Sequence, residues 1–126
     1  MAYSPIDELI CRVFLSRDMS HLQHWKTDSY AEHVALGDFY DGVIEKIDSI
    51  VELYQGLFTR VNHVEDEELE ERLEGIYNIV EHLKDDVRFI TENREKIANG
   101  VSAIENLLDD LVDFYGSTLY KLRFLS

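Results

Sequence analysis

The chain has 126 residues, a length that fits one domain with a substantial core but leaves no room for two. With 45% hydrophobic residues and a single proline, the composition is that of a helical globular protein, even though 30% of the residues are charged. The formal net charge of −14 argues against direct binding to nucleic acid phosphates or to an anionic membrane, because both need clustered lysine and arginine. Cations are the partners that such a field attracts.

The sequence predicts a cytoplasmic protein. Cys11 is the only cysteine, which excludes an intrachain disulfide and favours a reducing compartment. The first residues lack the basic start and the unbroken apolar core of a signal peptide, and no apolar run approaches the roughly 18 residues of a membrane span. We therefore expect neither export nor membrane insertion.

The first predicted helix runs from Pro5 to Trp25, with Ser4 as its N-cap. Apolar residues recur on one of its faces: Ile6, Leu9, Ile10, Val13 and Phe14. Further along the helix this face turns polar and reaches His21 and His24. An apolar face that becomes histidine-rich at one end indicates a functional site at that end.

A short polar break separates this helix from the next. Ser29, followed three residues later by Glu32, has the form of a capping box, so the second helix should begin directly after Ser29 and carry His33 in its first turns. His21 and His24 are three residues apart and share one face of the first helix. Because the turn is short, His24 and His33 can approach each other within one chain.

The second predicted helix, Tyr30 to Phe58, sets two carboxylates one turn apart. Asp48 and Glu52 project to the same side and share a sector of roughly 100° with His33. His33 and Asp48 are separated by roughly 22 Å of helix rise, whereas a metal ligand must lie about 2 Å from its ion. One chain therefore cannot gather all these groups around one ion, but two chains packed antiparallel about a twofold axis can. The pattern indicates a metal site shared between two subunits.

Two further helices complete the predicted fold. After a turn at Asn62 to Asp66, apolar residues at helical spacing predict a third helix from Glu65 to Ala98, and Asn99-Gly100 should end it with a left-handed cap. Ser102 and Glu105 form another capping-box pattern, which should open a fourth helix that runs to the end of the sequence. Four long helices with short connections predict an all-α, four-helix bundle that forms a single domain over residues 1–126.

The first half of the chain resembles the Dps proteins, the DNA-binding proteins from starved cells, which are members of the ferritin-like superfamily. The resemblance is carried by HLQHW at 21–25, by His33 and by DSIVE at 48–52. It implies a short, divergent ferritin-like bundle with an intersubunit ferroxidase centre. His24 and His33 of one subunit and Asp48 and Glu52 of its partner would then be the metal ligands and the catalytic residues. Gly37 departs from the family pattern, because an acidic residue often stands at that position.

The ligand types favour iron. Two imidazoles and two carboxylates, with open positions for water or an oxidant, suit Fe(II) and also accept Zn(II) or Mn(II) as substitutes. With iron, the resemblance implies that peroxide or dioxygen oxidises Fe(II) at the twofold interface of a homo-oligomer. Storage of the ferric product would require a closed cage, for which family analogy alone speaks.

Two other functions stay open at this point. One is a non-catalytic helical assembly protein whose site holds a structural metal or none. The other is an acidic binding protein that imitates the charge of nucleic acid and occupies a basic partner. The remaining polar features have simple interpretations: His63 and His82 as surface residues, Trp25 as a core or interface anchor, and the acidic run from Val64 to Gly75 as a solvated helix start.

Overall fold

The computed structural model describes residues 4–62, 71 and 78–125. These residues form four long helices and no strand: α1, Pro5–Lys26; α2, Tyr30–Leu57; α3, Ile79–Ala98; and α4, Ser102–Phe124. The helices pack side by side as a four-helix bundle, which confirms the predicted all-α class.

Caps at three helix ends follow the sequence prediction. Ser4 Oγ accepts a hydrogen bond from the backbone N–H of Asp7 at 3.3 Å, and Ser29 Oγ accepts one from Glu32 N–H at 3.2 Å. Each bond satisfies a backbone donor that the first turn of a helix leaves without a partner. At the end of α3, Asn99 lies in the left-handed region with φ 51°, where asparagine is tolerated.

The predicted cap of the fourth helix and the predicted continuity of the third helix are wrong. α4 begins at Ser102 itself, after Val101, and no side chain caps it. The third predicted helix, Glu65 to Ala98, is not continuous, because the backbone of Asn78 is extended at φ −85° and ψ 122°. The Asn78 side chain accepts hydrogen bonds from N–H groups two and three residues further on, at 2.9 and 3.2 Å, and so begins a new helix at Ile79. Residues 63–70 and 72–77, which hold most of the predicted turn and the predicted helix start, lie outside the described part of the chain.

α2 and α3 run in the same direction. Arg12 and Ser16 of α1 contact Asp86 and His82 of α3, so residue numbers rise along α1 as they fall along α3, and the two helices are antiparallel. α2 is also antiparallel to α1, from which a three-residue turn separates it. The connection from α2 to α3 therefore joins opposite ends of the bundle, and the prediction that all connections are short is wrong for this one.

Each helix packs mainly against two neighbours, in the order α1, α2, α4, α3 around the bundle. The core between them consists of large side chains that are almost fully buried: Leu9, Val13, Leu36, Phe39, Val43, Ile47, Leu83, Ile90, Ile104, Leu108 and Tyr115. Burial of these apolar side chains is the main driving force for the fold.

Gly42 allows α2 and α4 to approach closely. A Cβ atom at Gly42 would lie 2.7 Å from Cζ of Phe114, whose ring stacks on Phe39 with the centroids 5.8 Å apart. We expect Gly42→Ala to lower the free energy of unfolding by about 1–3 kcal/mol, because the Phe114 ring has to move within a packed contact. Gly116→Ala in α4 is the control, since a Cβ there meets nothing within 4 Å. The control should gain up to about 1 kcal/mol from helix propensity, and urea unfolding that gave both variants the same change would contradict the steric account.

Candidate metal centre

His24 of α1 and His33 of α2 lie against each other at the α1–α2 corner. Their ring centroids are 3.7 Å apart, and the ring planes are 17° from parallel. Nδ1 of His24 lies 2.5 Å from the backbone oxygen of His33, and Nδ1 of His33 lies 2.8 Å from the backbone oxygen of His24. A carbonyl oxygen only accepts, so each Nδ1 carries a proton and donates it. In a neutral ring Nε2 then keeps its lone pair, an arrangement in which backbone carbonyls orient histidines that bind metals.

A side-chain bridge between α1 and α2 holds this corner. Gln23 Nε2 donates to Glu32 Oε1 at 2.9 Å, and Ser29 N–H donates to Thr27 Oγ1 at 3.1 Å. Only half of the predicted capping box therefore forms, because the Glu32 carboxylate reaches across to α1 instead of returning to Ser29. The bridge ties the last turn of α1 to the first turn of α2, and this fixes the spacing of the two histidines.

Gly37 makes room for the His24 ring. A Cβ at Gly37 would lie 3.1 Å from Cε1 and 3.4 Å from Nδ1 of His24. We expect Gly37→Ala to displace the ring by a few tenths of an ångström and to weaken its bond to the His33 carbonyl. Loss of such an orienting bond typically lowers metal affinity by about 10–100-fold.

Titration of metal-free wild type and Gly37→Ala with Co(II) measures this loss. The stability of the variant should be unchanged or slightly higher, because alanine is the better helix former. Unaltered Co(II) affinity would show that the ring position does not matter for binding.

Other aromatic rings surround the histidine pair. His21 stacks on Tyr40 with the ring centroids 4.0 Å apart and the planes 12° from parallel, and Trp25 lies 4.6 Å from His21. Trp25 is 67% exposed, so it does not anchor the core of its own chain. Its role at an interface stays a prediction.

Asp48 and Glu52 are exposed on α2, away from the histidine corner. Asp48 lies at the edge of an apolar surface groove, which is lined by Ile10, Phe14, Ile47, Val51 and Val61. The structure thus brings His24 and His33 together. It leaves Asp48 and Glu52 roughly 22 and 28 Å beyond His33 along the α2 axis, as the rise of about 1.5 Å per residue requires. Within residues 4–62, 71 and 78–125, no three His, Cys, Asp or Glu side chains gather closely enough to hold a metal ion. A centre with all four ligands would need a second subunit.

The model of one protein family, described as a family of unknown function (DUF5856), matches residues 24–122. The chain belongs to the DUF5856 family. The match spans most of the bundle and includes His24, His33, Asp48 and Glu52. No curated protein and no solved structure matches the chain.

A second polar cluster in this DUF5856 chain is buried between α1, α3 and α4. We call it the core network, and its members are Arg12, Ser16, His82, Asp86 and Tyr115. The Asp86 carboxylate accepts hydrogen bonds from Ser16 Oγ, from Tyr115 Oη at 2.8 Å and from Arg12 Nη1 at 3.3 Å. Arg12 also binds Glu8 and Asp85, each at 2.8 Å, and its guanidinium lies over the Phe89 ring.

Burial changes the proton affinity of two members of the core network. It raises the pKa of Asp86 to about 7, against the stabilising hydrogen bonds from Ser16 and Tyr115 and the charge of Arg12. Burial also lowers the pKa of His82, which favours its neutral form. Near neutral pH the network can therefore hold Asp86 in either charge state while His82 stays neutral.

The prediction that His82 is a surface residue is wrong, because its exposed fraction is 0%. Ser16 Oγ lies 3.1 Å from His82 Nδ1, and His82 Nε2 is buried with no hydrogen-bond partner in the part of the chain that the structure describes. His63 and the acidic run from Val64 to Gly75 lie outside the described residues, apart from Glu71, so their predictions stand as they were. Among the described helices, none combines the length and the apolarity needed to cross a bilayer.

Proposed function

We propose that this protein binds Fe(II) at a site shared by two copies of the chain and oxidises it there. His24 and His33 supply imidazole nitrogens, and Asp48 and Glu52 of the partner subunit supply carboxylate oxygens. The observation that carries the proposal is the reciprocal bonding of His24 and His33, which engages both Nδ1 atoms and leaves both Nε2 lone pairs for a metal.

The helix directions support a ferritin-like, Dps-like bundle. α2 and α3 are parallel and are joined by a connection that crosses the length of the bundle. One long crossover of this kind distinguishes ferritin-like bundles from simple up-and-down bundles. Ferritin-like bundles bind metals through histidine and carboxylate side chains on their long helices.

The surfaces around the four ligands suit a contact between two copies. Asp48 borders an apolar groove, and Trp25, next to His24, exposes most of its side chain. An antiparallel twofold contact would bury these apolar surfaces while it brought histidines to carboxylates, and it would create two equivalent sites. A net charge of −14 attracts Fe(II) to such an assembly. We place this chemistry in the cytoplasm, because the single cysteine gives no intrachain disulfide.

The donor set favours the oxidised product. Imidazole nitrogen accepts Fe(II), whereas carboxylate oxygen is a hard, charged donor that stabilises Fe(III) more strongly. With hydrogen peroxide, two Fe(II) ions give one electron each, two protons are taken up and two water molecules form. Zn(II) or Mn(II) can occupy the same donors, and a closed oligomeric cage would store the ferric product.

Fe(II) oxidation by site variants tests the proposal. Metal-free protein receives Fe(II) and peroxide, and Fe(III) formation is followed for wild type, His33→Ala and Asp48→Ala. Each variant should slow the reaction by at least about tenfold, because each removes a ligand. Rates that do not differ among the three proteins would overturn the proposal.

Two matched variants control for changes that do not touch the ligands. His21→Phe keeps a ring against Tyr40 and removes a neighbouring imidazole, and Glu45→Ala removes an exposed carboxylate from α2. Both should oxidise Fe(II) at the wild-type rate. If wild type itself oxidises Fe(II) no faster than buffer and stays monomeric, the bundle is instead a non-catalytic assembly or binding protein.

A further inference from the structure

The core network contains an unbroken hydrogen-bonded path from Asp86 through Ser16 to His82. Ser16 Oγ contacts Asp86 Oδ2 and lies 3.1 Å from His82 Nδ1, and all three side chains are fully shielded from solvent. The path runs from Asp86 of α3 to Ser16 of α1 and returns to His82 of α3. Tyr115 of α4 donates a hydrogen bond to the Asp86 carboxylate. These residues take no part in the proposed metal site.

Ser16 has one hydroxyl proton. The direction in which Ser16 donates it determines which ring nitrogen of His82 is protonated. When Asp86 is ionised it only accepts, so Ser16 donates to Asp86 and must in turn accept from His82 Nδ1–H. His82 Nε2 then carries no proton, and it has no hydrogen-bond partner among the described residues.

We propose that the path is a two-state proton switch, in which uptake of one proton by Asp86 reverses both hydrogen bonds of Ser16 and moves the His82 proton from Nδ1 to Nε2. The proton balance closes by relay. A proton binds at His82 Nε2, Nδ1–H passes to Ser16, and the Ser16 proton passes to Asp86. In the final state Asp86 donates to Ser16, Ser16 donates to His82 Nδ1, and the imidazole is neutral with its proton on Nε2.

The charges that face Asp86 favour proton uptake. Arg12 from α1 also pairs with Glu8 and Asp85, so its positive charge is divided among these carboxylates and Asp86. Asp85 has Arg88 as a second cationic partner, at 3.0 Å. α4 contributes the neutral Tyr115, and no described residue of α2 bonds to the network. Burial raises the pKa of Asp86 to about 7 and lowers that of His82, so the added proton rests on the carboxyl group. The switch therefore works near neutral pH.

Long-range nitrogen–proton NMR of the full chain reads the tautomer of His82 directly, with a His82→Gln variant to assign its signals. We expect the Nδ1–H tautomer at about pH 8.5 and the Nε2–H tautomer at about pH 5.5, with a neutral ring in both. The same tautomer at both pH values, or an imidazolium at the lower one, would overturn the proposal.

Variants separate the switch from a general pH response. Asp86→Asn donates its amide N–H to Ser16 at every pH, so His82 should stay in the Nε2–H form throughout. Asp110→Asn, which removes a carboxylate from an exposed ion pair with Lys46, should switch as wild type does. An Asp86→Asn protein that still changed tautomer with pH would also contradict the relay, and the wild-type titration decides the question if this variant does not fold.

Discussion

Replacing Arg12 by methionine should lower the free energy of unfolding by about 3–5 kcal/mol above neutral pH. Methionine preserves most of the packing of the arginine stem. It removes the one cation, among the described residues, that is paired with the Asp86 carboxylate, whose side chain is 1% exposed. An ionised Asp86 would then be buried without compensating charge, and Glu8 and Asp85 would lose the same partner. Below neutral pH the penalty should shrink, because Asp86 takes up a proton. Urea unfolding of both proteins at about pH 8 and about pH 5.5 measures both effects.

Arg94→Met is the matched control for this prediction. Arg94 forms an equally close set of ion pairs, with Glu105 at 2.6 Å and Asp109 at 2.7 Å, but it lies on the protein surface. Water compensates exposed charges when a partner is lost, so the unfolding midpoint of this variant should barely move. Equal losses for the two arginines would mean that burial does not set the strength of the Arg12 network.

The stability of a His82→Gln variant should fall by up to about 4 kcal/mol as the pH rises from about 4 to about 7. Burial raises the pKa of Asp86 from 3.8 to about 7, so the native state holds this proton more tightly than the unfolded chain does. The stabilisation by the protonated Asp86 is complete below pH 3.8 and is lost as the pH rises through 7. Asp86 and Arg12 remain in place in this variant, so the slope reports on the carboxyl group.

In wild type, His82 opposes this slope. Burial lowers its pKa from 6.5, so the stability that neutral His82 contributes is present above 6.5 and is lost as the pH falls. The wild-type profile should therefore be flatter than that of His82→Gln, whereas Asp86→Asn should lose stability only towards acid. Unfolding free energies at half-unit pH steps compare the three proteins. Superimposable profiles would show that neither group titrates differently in the folded and unfolded states.

Local signals in the sequence were enough to place the starts of α1 and α2 and the end of α3. Ser4, Ser29 and Asn99-Gly100 are residues whose preferences act within one or two turns of the chain, and the structure uses them as predicted. The prediction of a continuous helix through Asn78 is wrong because a local preference was outweighed by the surrounding pattern. Asn78 lies among apolar residues at helical spacing, which predicts a helix interior. Its side chain instead favours the N-cap position, and it begins a new helix.

The core network is absent from the sequence predictions, because charged residues and histidine usually lie at the surface. The spacing of the polar residues in α1 and α3 nevertheless indicates the network. His82 and Asp86 are four residues apart on the buried stripe of α3 that also holds Ile79 and Ile90. Arg12, Ser16 and Ser20 repeat at the same interval along α1. That two polar stripes face each other, however, depends on the parallel arrangement of α2 and α3, which no local pattern encodes.

The shared metal centre is the part of the candidate site that one chain cannot complete. The histidine end is ordered by contacts within the chain, since each ring is bonded to the backbone of the other. The carboxylate end is exposed, and in the proposed site it binds the metal together with the histidines of a second copy. The spacing of these residues in the sequence predicts that two subunits each supply one half of the site.

Subunit mixing tests the shared site most directly. His24→Ala/His33→Ala protein and Asp48→Ala/Glu52→Ala protein are unfolded together, refolded as an equal mixture and assayed for Fe(II) oxidation. Each double variant alone should be inactive. The mixture should recover about a quarter of the wild-type rate, because half of the randomly assembled dimers are mixed and each mixed dimer holds one intact site. A mixture that stays as inactive as its components, although mixed dimers form, would contradict a centre built from two subunits.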